Sequence, residues 1–277
     1  MMTNLTASYA VFGNPVEHSK SPDIHHQFAE QTQQAMTYRK QLVAIDAFAM
    51  TAQKFFDQGG SGLNVTVPFK LAAYHFAAQL TKRAKIAGAV NTLIKKNGII
   101  IGDNTDGCGL LKDIRDNLQW PLAQQNILIL GAGGAVRGIL APLLAAKPQS
   151  ITIANRSLKK AQKLVQQFQP LADTVSLRCL EFTALNSQYK LIINGTSASL
   201  AGQLPAVNSL IYYQAYCYDM MYSKGATAFL RQAKASGAQA TADGLGMLVE
   251  QAAESFYQWR ELRPTTESVI ASIRDAM

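Results

Sequence analysis

The sequence predicts an α/β protein in two parts, on three observations. The apolar run Asn126-Ile-Leu-Ile-Leu130 closes on Gly131, Gly133 and Gly134, the pattern of a buried strand, a tight turn and a helix start. A second strand-like run, Ser150-Ile-Thr-Ile-Ala154, follows a helix-like stretch over 137–146. Strand-like and helix-like segments also alternate through the first ~100 residues, the order of an α/β unit in its own right.

From the N-terminus, residues 8–12 read as a strand that ends at Gly13-Asn14-Pro15. A helix opens at Ser21-Pro22, where a proline in the first turn costs no hydrogen bond. Residues 36–45 form a second strand, and 48–58 a helix that stops at Gly59-Gly60. A third strand covers 62–67, after which Pro68-Phe69-Lys70 opens another helix. Residues 89–94 and 99–101 flank Asn97-Gly98, a dipeptide suited to a tight hairpin turn. The polar loop 102–107 leads to an amphipathic helix over about 108–119, and the change of domain is expected there. A mononucleotide-type β-α-β pattern runs from Asn126 through 191–194 and 215–219. A helix over about 246–259 places Leu248, Ala252 and Phe256 on one face.

Composition narrows the function classes. The chain has 277 residues, 48% of them hydrophobic, enough for a sizeable core. No stretch nears the ~20 apolar residues of a membrane span. The segment 1–10 lacks the basic and long apolar regions of a secretory leader. Cys108, Cys179 and Cys217 are odd in number, scattered and without neighbouring histidine, so they read as reduced thiols of a cytoplasmic protein. The net charge of +8 comes from small groups such as Arg39-Lys40, Lys95-Lys96 and Lys159-Lys160 rather than a basic stripe, which argues against nucleic acid. Such a surface attracts small anions. His18, His25 and His26 have no companion carboxylate or cysteine cluster, and no metal is expected.

The glycine-rich turn points to a dinucleotide cofactor, because it sets backbone N–H groups and a helix N-terminus against a pyrophosphate. The third glycine position of the usual fingerprint holds Val136. At the end of the second strand there is no acid for a ribose hydroxyl; Asn155, Arg156 and Ser157 stand there, with Lys160 and Lys163 on the helix beyond. A guanidinium pairs with a 2′-phosphate through parallel hydrogen bonds, so NADP is expected rather than NAD.

Three polar groupings lie in the first part. Ser19 and Ser21 precede a helix start, which favours an anion; Ser21 alone reads equally well as an N-cap. Asn64 and Thr66 share one face of a strand, and Lys70 sits in the first turn of the next helix. A cation there opposes the helix dipole, so Lys70 either escapes to solvent or has a task. Asn91 and the loop Asn104-Thr105-Asp106-Gly107 add amides and a carboxylate near the domain change. Beside a nicotinamide cofactor, a lysine oriented by an aspartate can deliver the proton that ketone reduction requires.

The motifs Gly13-Asn-Pro-Val-x-His18-Ser19-x-Ser21-Pro22, Asn64-Val-Thr66-Val-Pro68-Phe69-Lys70, Gly88-Ala-Val-Asn91-Thr92, Gly102-Asp-Asn-Thr-Asp106-Gly107, Gly131-Ala-Gly-Gly134 and Asp243-Gly-Leu-Gly-Met247 with Gln251 span nearly the whole chain. In that order they resemble shikimate dehydrogenase, closest to its NADP-dependent biosynthetic branch. The resemblance implies reversible reduction of 3-dehydroshikimate to shikimate with NADPH, on the route to aromatic amino acids. It implies Lys70 and Asp106 as catalytic pair, Ser19 and Ser21 on the substrate carboxylate with Tyr222 nearby, and Asn64, Thr66, Asn91, Asp106 and Gln251 around the ring hydroxyls. For NADP it implies Gly131, Ala132, Gly133, Gly134 and Ala135 on the pyrophosphate, and Asn155, Arg156, Ser157 and Lys160 on the 2′-phosphate. Thr196, Met220 and Gly244 would lie toward the nicotinamide.

The resemblance also implies a discontinuous substrate domain, 1–106 with 244–277, whose C-terminal helices return to it, and a Rossmann-type NADP-binding domain over 107–243. The chain departs from the family at Val136, where serine or alanine is common, at Lys160, where a later arginine is common, and at Gly195 in Asn194-Gly195-Thr196-Ser197, where alanine is usual. The alternatives are a quinate/shikimate dehydrogenase using NAD, which an acid in place of Arg156-Ser157 would favour, and a non-catalytic NADP sensor, which loss of Lys70 or Asp106 would favour. Monomer and homodimer are both compatible with the sequence.

Overall fold

The computed structural model describes residues 6–185, 188–196, 198 and 204–277; Ser197 and the first five residues, read above, lie outside that range. The chain forms two compact units. One runs through Gly109 and adds Val249–Ala276; the other is Leu110–Leu248. These boundaries fall within helices, a few residues beyond the glycine-bearing loops where the sequence places them.

The first unit begins β1 (Ala7–Gly13), α1 (Ser21–Gln31), β2 (Met36–Leu42), α2 (Phe48–Asp57), β3 (Gly60–Val65), α3 (Lys70–Phe76), β4 (Gln79–Leu80), α4 (Lys82–Ala87), β5 (Thr92–Lys96) and β6 (Ile99–Asp103). Its sheet is mixed, in the order β2-β1-β3-β5-β6-β4. β1 pairs in parallel with β2 and β3, whereas β5 is antiparallel to β3 and β6. The hairpin between β5 and β6 turns at Asn97 (φ 52°) and Gly98 (φ 79°), the left-handed pair the dipeptide requires. One core lies among Phe12, Phe48, Phe55, Phe56, Leu63 and Phe69, all buried.

Two strands differ from expectation. β3 starts earlier, because Gly60 pairs with Ser8, and ends at Val65. Thr66 therefore lies one residue beyond the strand whose face it was expected to share with Asn64; its backbone N–H still reaches the Phe12 carbonyl, 2.9 Å away. β2 stops at Leu42 rather than 45, since its pairing with β1 ends where Gly13 meets Leu42.

α5 (Asp106–Lys112) begins in the first unit and ends in the second, which then holds β7 (Asn126–Leu130), α6 (Gly134–Ala145), β8 (Ser150–Ala154), α7 (Leu158–Phe168), β9 (Ser176–Leu180), β10 (Leu191–Asn194), β11 (Tyr216–Asp219), α8 (Ala228–Ala235) and β12 (Ala240–Asp243). α9 (Leu245–Arg260) starts here and continues into the first unit, followed there by α10 (Glu267–Asp275). The amphipathic helix expected over 108–119 is α5 closed by one wide turn, Asp113–Asn117, in which Leu118 N–H reaches the Asp113 carbonyl. The sheet is wholly parallel, in the order β9-β8-β7-β10-β11-β12. This is the doubly wound nucleotide-binding order, with its reversal between β7 and β10. β8 and β10 are buried throughout, as strands covered on both faces must be.

Candidate active site

The polar residues of the first unit converge at the C-terminal end of β3 and the loop after β6. Lys70, at the first position of α3, places its ammonium 2.6 Å from Asp106 Oδ2. The lysine side chain is 27% exposed and the aspartate 9%, so the cation is reachable while its partner is held inside. Asp106 opens α5, where a carboxylate suits the helix dipole that Lys70 opposes at the start of α3. Lys70 is thus ion-paired to Asp106 rather than turned free into solvent.

Asp106 is fixed from its other side. Asn91 Nδ2 donates to Asp106 Oδ1 (2.8 Å), to Thr105 Oγ1 (2.8 Å) and to Gln251 Oε1 (3.2 Å). Asn91 Oδ1 accepts from the Thr105 backbone N–H (2.9 Å) and the Thr92 hydroxyl (3.0 Å). Gln251, on the returning helix α9, also accepts from the Thr105 hydroxyl (3.3 Å).

Asn64 is the keystone of a second cluster. Its Oδ1 accepts from the Tyr38 hydroxyl (2.8 Å) and lies 3.1 Å from His25 Nε2. Its Nδ2 faces the Asn91 carbonyl, the Thr92 hydroxyl and the Ser255 hydroxyl, all within 3.3 Å. Every hydrogen-bonding position of that amide is engaged within the protein. Ser19 Oγ lies 3.2 Å from Ser21 Oγ, and Ser21 in turn hydrogen-bonds Tyr38. Burial, opposed by Ser21, pushes the Tyr38 phenol well above its ordinary range. His25 stacks on Tyr38 with ring centroids 4.3 Å apart, and burial, opposed by the Asn64 bond, lowers its pKa to about 3. Thr66 turns its methyl toward Gly13, where an added Cβ would come within 2.6 Å.

Sequence reading missed Tyr38, Ser255 and the structural role of His25. Ser255 was within reach of the helical pattern, one turn after Gln251 on α9. Tyr38 lies in a strand that reads Met36-Thr-Tyr-Arg-Lys-Gln-Leu42 and carried no local signal.

In the second unit the glycine loop fits a dinucleotide phosphate. Gly131 has φ 109°, and an added Cβ would meet Thr196 Cγ2 at 3.0 Å. Gly133 and Gly134 project their missing Cβ into open space, and no side chain caps the N-terminus of α6. The backbone N–H groups there remain available to an anion. Arg156 is exposed just after β8 and Lys160 is exposed in the first turn of α7, while Asn155 Nδ2 donates to the Ser157 carbonyl (2.9 Å), shaping the turn between them. The Thr196 N–H and hydroxyl are tied to Asn194 Oδ1 (3.1 and 2.7 Å). Met220 and Gly244 pack together, a Cβ on Gly244 falling 2.3 Å from the Met220 carbonyl oxygen. Tyr222 is half-buried; burial, then the Asp243 charge, raises its phenol.

The two departures at Val136 and Gly195 meet each other. A Cβ on Gly195 would stand 2.4 Å from Val136 Cγ2, and Val136 is fully buried. Overpacking of this kind typically costs ~1–3 kcal/mol. Gly195→Ala is expected to lower the thermal midpoint, and adding Val136→Ala to recover most of the loss. Independent, additive effects in a double-mutant cycle would refute the coupling.

A doubly wound nucleotide unit, together with a unit bearing a lysine–aspartate pair among amides and hydroxyls, defines an α/β oxidoreductase of the nucleotide-dependent class. Comparison with known families agrees. The shikimate dehydrogenase substrate binding domain matches residues 11–93, shikimate / quinate 5-dehydrogenase matches 113–201, and the shikimate 5′-dehydrogenase C-terminal domain matches 244–274. The shikimate dehydrogenase (NADP(+)) of Cellvibrio japonicus is 52% identical over 273 residues, covering 98% of each chain. Among solved structures, an Ael1 enzyme from Pseudomonas putida superposes with a TM-score of 0.91 at 43% identity, over 96% of this chain and 97% of its own. The Thermus thermophilus shikimate 5-dehydrogenase in complex with NADP(H) and shikimate does so with 0.88 at 28%, over 98% and 100%. The chain belongs to the shikimate dehydrogenase family, and it is an oxidoreductase of the shikimate pathway that uses NADP. Among the described residues, no helix is long and apolar enough to cross a membrane.

Proposed function

We propose that Lys70 and Asp106 carry the proton chemistry of the reversible reduction of 3-dehydroshikimate to shikimate. The observation that supports this most directly is the 2.6 Å ammonium–carboxylate contact at a partly open position. NADPH supplies the hydride when bound. Lys70 gives its proton to the oxygen that becomes a hydroxyl, and in the oxidation direction takes it back. Asp106 orients the ammonium and holds the same hydroxyl. Ser19 and Ser21 receive the substrate carboxylate, with Tyr222 assisting. Asn64, Thr66, Asn91 and Gln251 meet the ring hydroxyls, and Asn64 also fixes Tyr38 and the Asn91 backbone.

Residues 131–135 hold the pyrophosphate, Asn155, Arg156, Ser157 and Lys160 the 2′-phosphate, and Thr196, Met220 and Gly244 the nicotinamide end. The substrate domain is thus discontinuous, the cofactor domain continuous, and the enzyme acts in the cytoplasm.

The test is the initial rate at 340 nm with shikimate and either NADP or NAD, for the wild type and Arg156→Ala. A charge-assisted bond is worth ~1.5–3 kcal/mol, so the variant's KM for NADP should rise at least about tenfold. Its rate with NAD should barely change. A wild type that prefers NAD would overturn the cofactor assignment, and one that oxidises quinate as readily as shikimate would overturn the substrate assignment.

A further inference from the structure

We infer that Arg83 is a positioning residue for the reaction, setting Asp106 and Gln251 through the carboxylates of Asp103 and Glu254. This rests on the roles proposed above for Asp106 and Gln251, which Arg83 itself does not touch.

Arg83 stands in the first turn of α4, just after Thr81, whose side chain accepts from the Ala84 N–H and caps that helix. Its guanidinium engages three neighbours. Nε donates to Asp103 Oδ1 (2.6 Å), Nη2 to Asp103 Oδ2 and to Glu254 Oε1 (2.9 Å), and Nη1 to Cys108 Sγ (3.1 Å). Asp103 is completely buried, and its Oδ1 also accepts from the Thr81 hydroxyl (2.6 Å) and the Asn104 backbone N–H (2.8 Å).

From Asp103 the network reaches the catalytic loop in two steps. Asn104, held by Asp103, ties its Nδ2 to the Ala89 carbonyl (3.1 Å), and its Oδ1 accepts from the Asp106 backbone N–H (3.2 Å). That bond sets the first residue of α5. Glu254 lies one helical turn after Gln251 on α9, and is gripped on its other oxygen by Arg263 (2.8 Å). One planar fork therefore fastens the loop that presents Asp106 and the helix that presents Gln251. A guanidinium spans both carboxylates at fixed angles; an ammonium has three donors on a flexible stem and supplies no such planar fork.

The consequence is a specific pattern of loss. Arg83→Lys keeps the charge and removes the fork. It should lower kcat/KM for shikimate 10–100-fold, with kcat falling through Asp106 and KM rising through Gln251. The Kd for NADP, measured by fluorescence titration, should stay within twofold. Millimolar guanidinium should restore part of the activity of Arg83→Ala and none of that of Lys70→Ala.

The experiment runs these variants in the full-length chain, beside Lys70→Ala as reference. Arg83→Lys with kcat and KM within twofold of wild type, while Lys70→Ala is inactive, overturns the positioning role. So does a loss that equals the fraction of protein unable to bind NADP. A Lys70→Ala variant with wild-type kcat overturns instead the catalytic reading on which the inference rests. If Arg83→Ala does not fold, Arg83→Lys carries the test.

Discussion

Replacing Lys70 by alanine is expected to lower kcat for shikimate oxidation by ~10²–10⁴, the range that positioned general acid–base groups supply. The ammonium is fixed at 2.6 Å from Asp106 and partly exposed, so its removal takes away the proton carrier without emptying a core position. Shikimate affinity should change far less, because Ser19, Ser21, Asn91 and Gln251 are untouched. Asp106→Asn should also cost activity, since it leaves the Lys70 ammonium against the dipole of α3 with no carboxylate beside it. If the two side chains act as a unit, the double variant will be little worse than Lys70→Ala. Fully additive losses would separate their roles, and a wild-type kcat in Lys70→Ala would end the proposal. Stopped-flow single turnovers at 340 nm, with binding measured separately, make the distinction.

Acid is expected to weaken the first unit well before its carboxylates titrate. His25 is completely buried, and burial, against the Asn64 bond, lowers its pKa from 6.5 to about 3. Between those values the unfolded chain binds a proton that the folded chain refuses. Stability from this group is therefore complete above pH 6.5 and declines as pH falls, by up to ~1.4 kcal/mol per pH unit. Glu254 adds to the fall below its ordinary value of 4.5: although burial pushes the carboxyl up, Arg263 and Arg83 lower it overall. Urea midpoints between pH 7 and pH 4 should fall steeply in the wild type and less so in His25→Phe, which keeps the ring contacts with Phe28 and Tyr38. Parallel curves for the two proteins would show that His25 does not govern the acid limb.

The candidate site residues of this chain were easier to single out in its sequence than the scaffold that holds them. Glycines at 131, 133 and 134, Arg156 after a buried strand, and Lys70 in the first turn of a helix each carry a local physical signature. The doubly wound order of the second unit follows from apolar strands alternating with helices. What sequence could not supply is the pairing of residues far apart in the chain. Asn64 meets Ser255, 191 positions later, and Arg83 meets Glu254, 171 positions later. Nothing in the local pattern of Tyr38 or His25 marks them as neighbours of Asn64. The ends of strands shifted for the same reason, since pairing partners such as Ser8 for Gly60 decide where a strand starts.

The division of the first unit into two stretches of chain sets an order for its completion during synthesis. The second unit, Leu110–Leu248, is continuous and can close as soon as it leaves the ribosome. The first cannot, because Gln251, Glu254, Ser255 and Trp259 all come from α9 after the boundary. Until they emerge, Asn64 lacks Ser255, the Leu93 carbonyl lacks the Trp259 indole N–H, and Arg83 lacks Glu254. Translated from the N-terminus, the cofactor half is finished while the substrate half is still waiting for its last helices. A released chain truncated after Leu248 would be expected to protect the nucleotide-type unit from protease and leave the first hundred residues open to it.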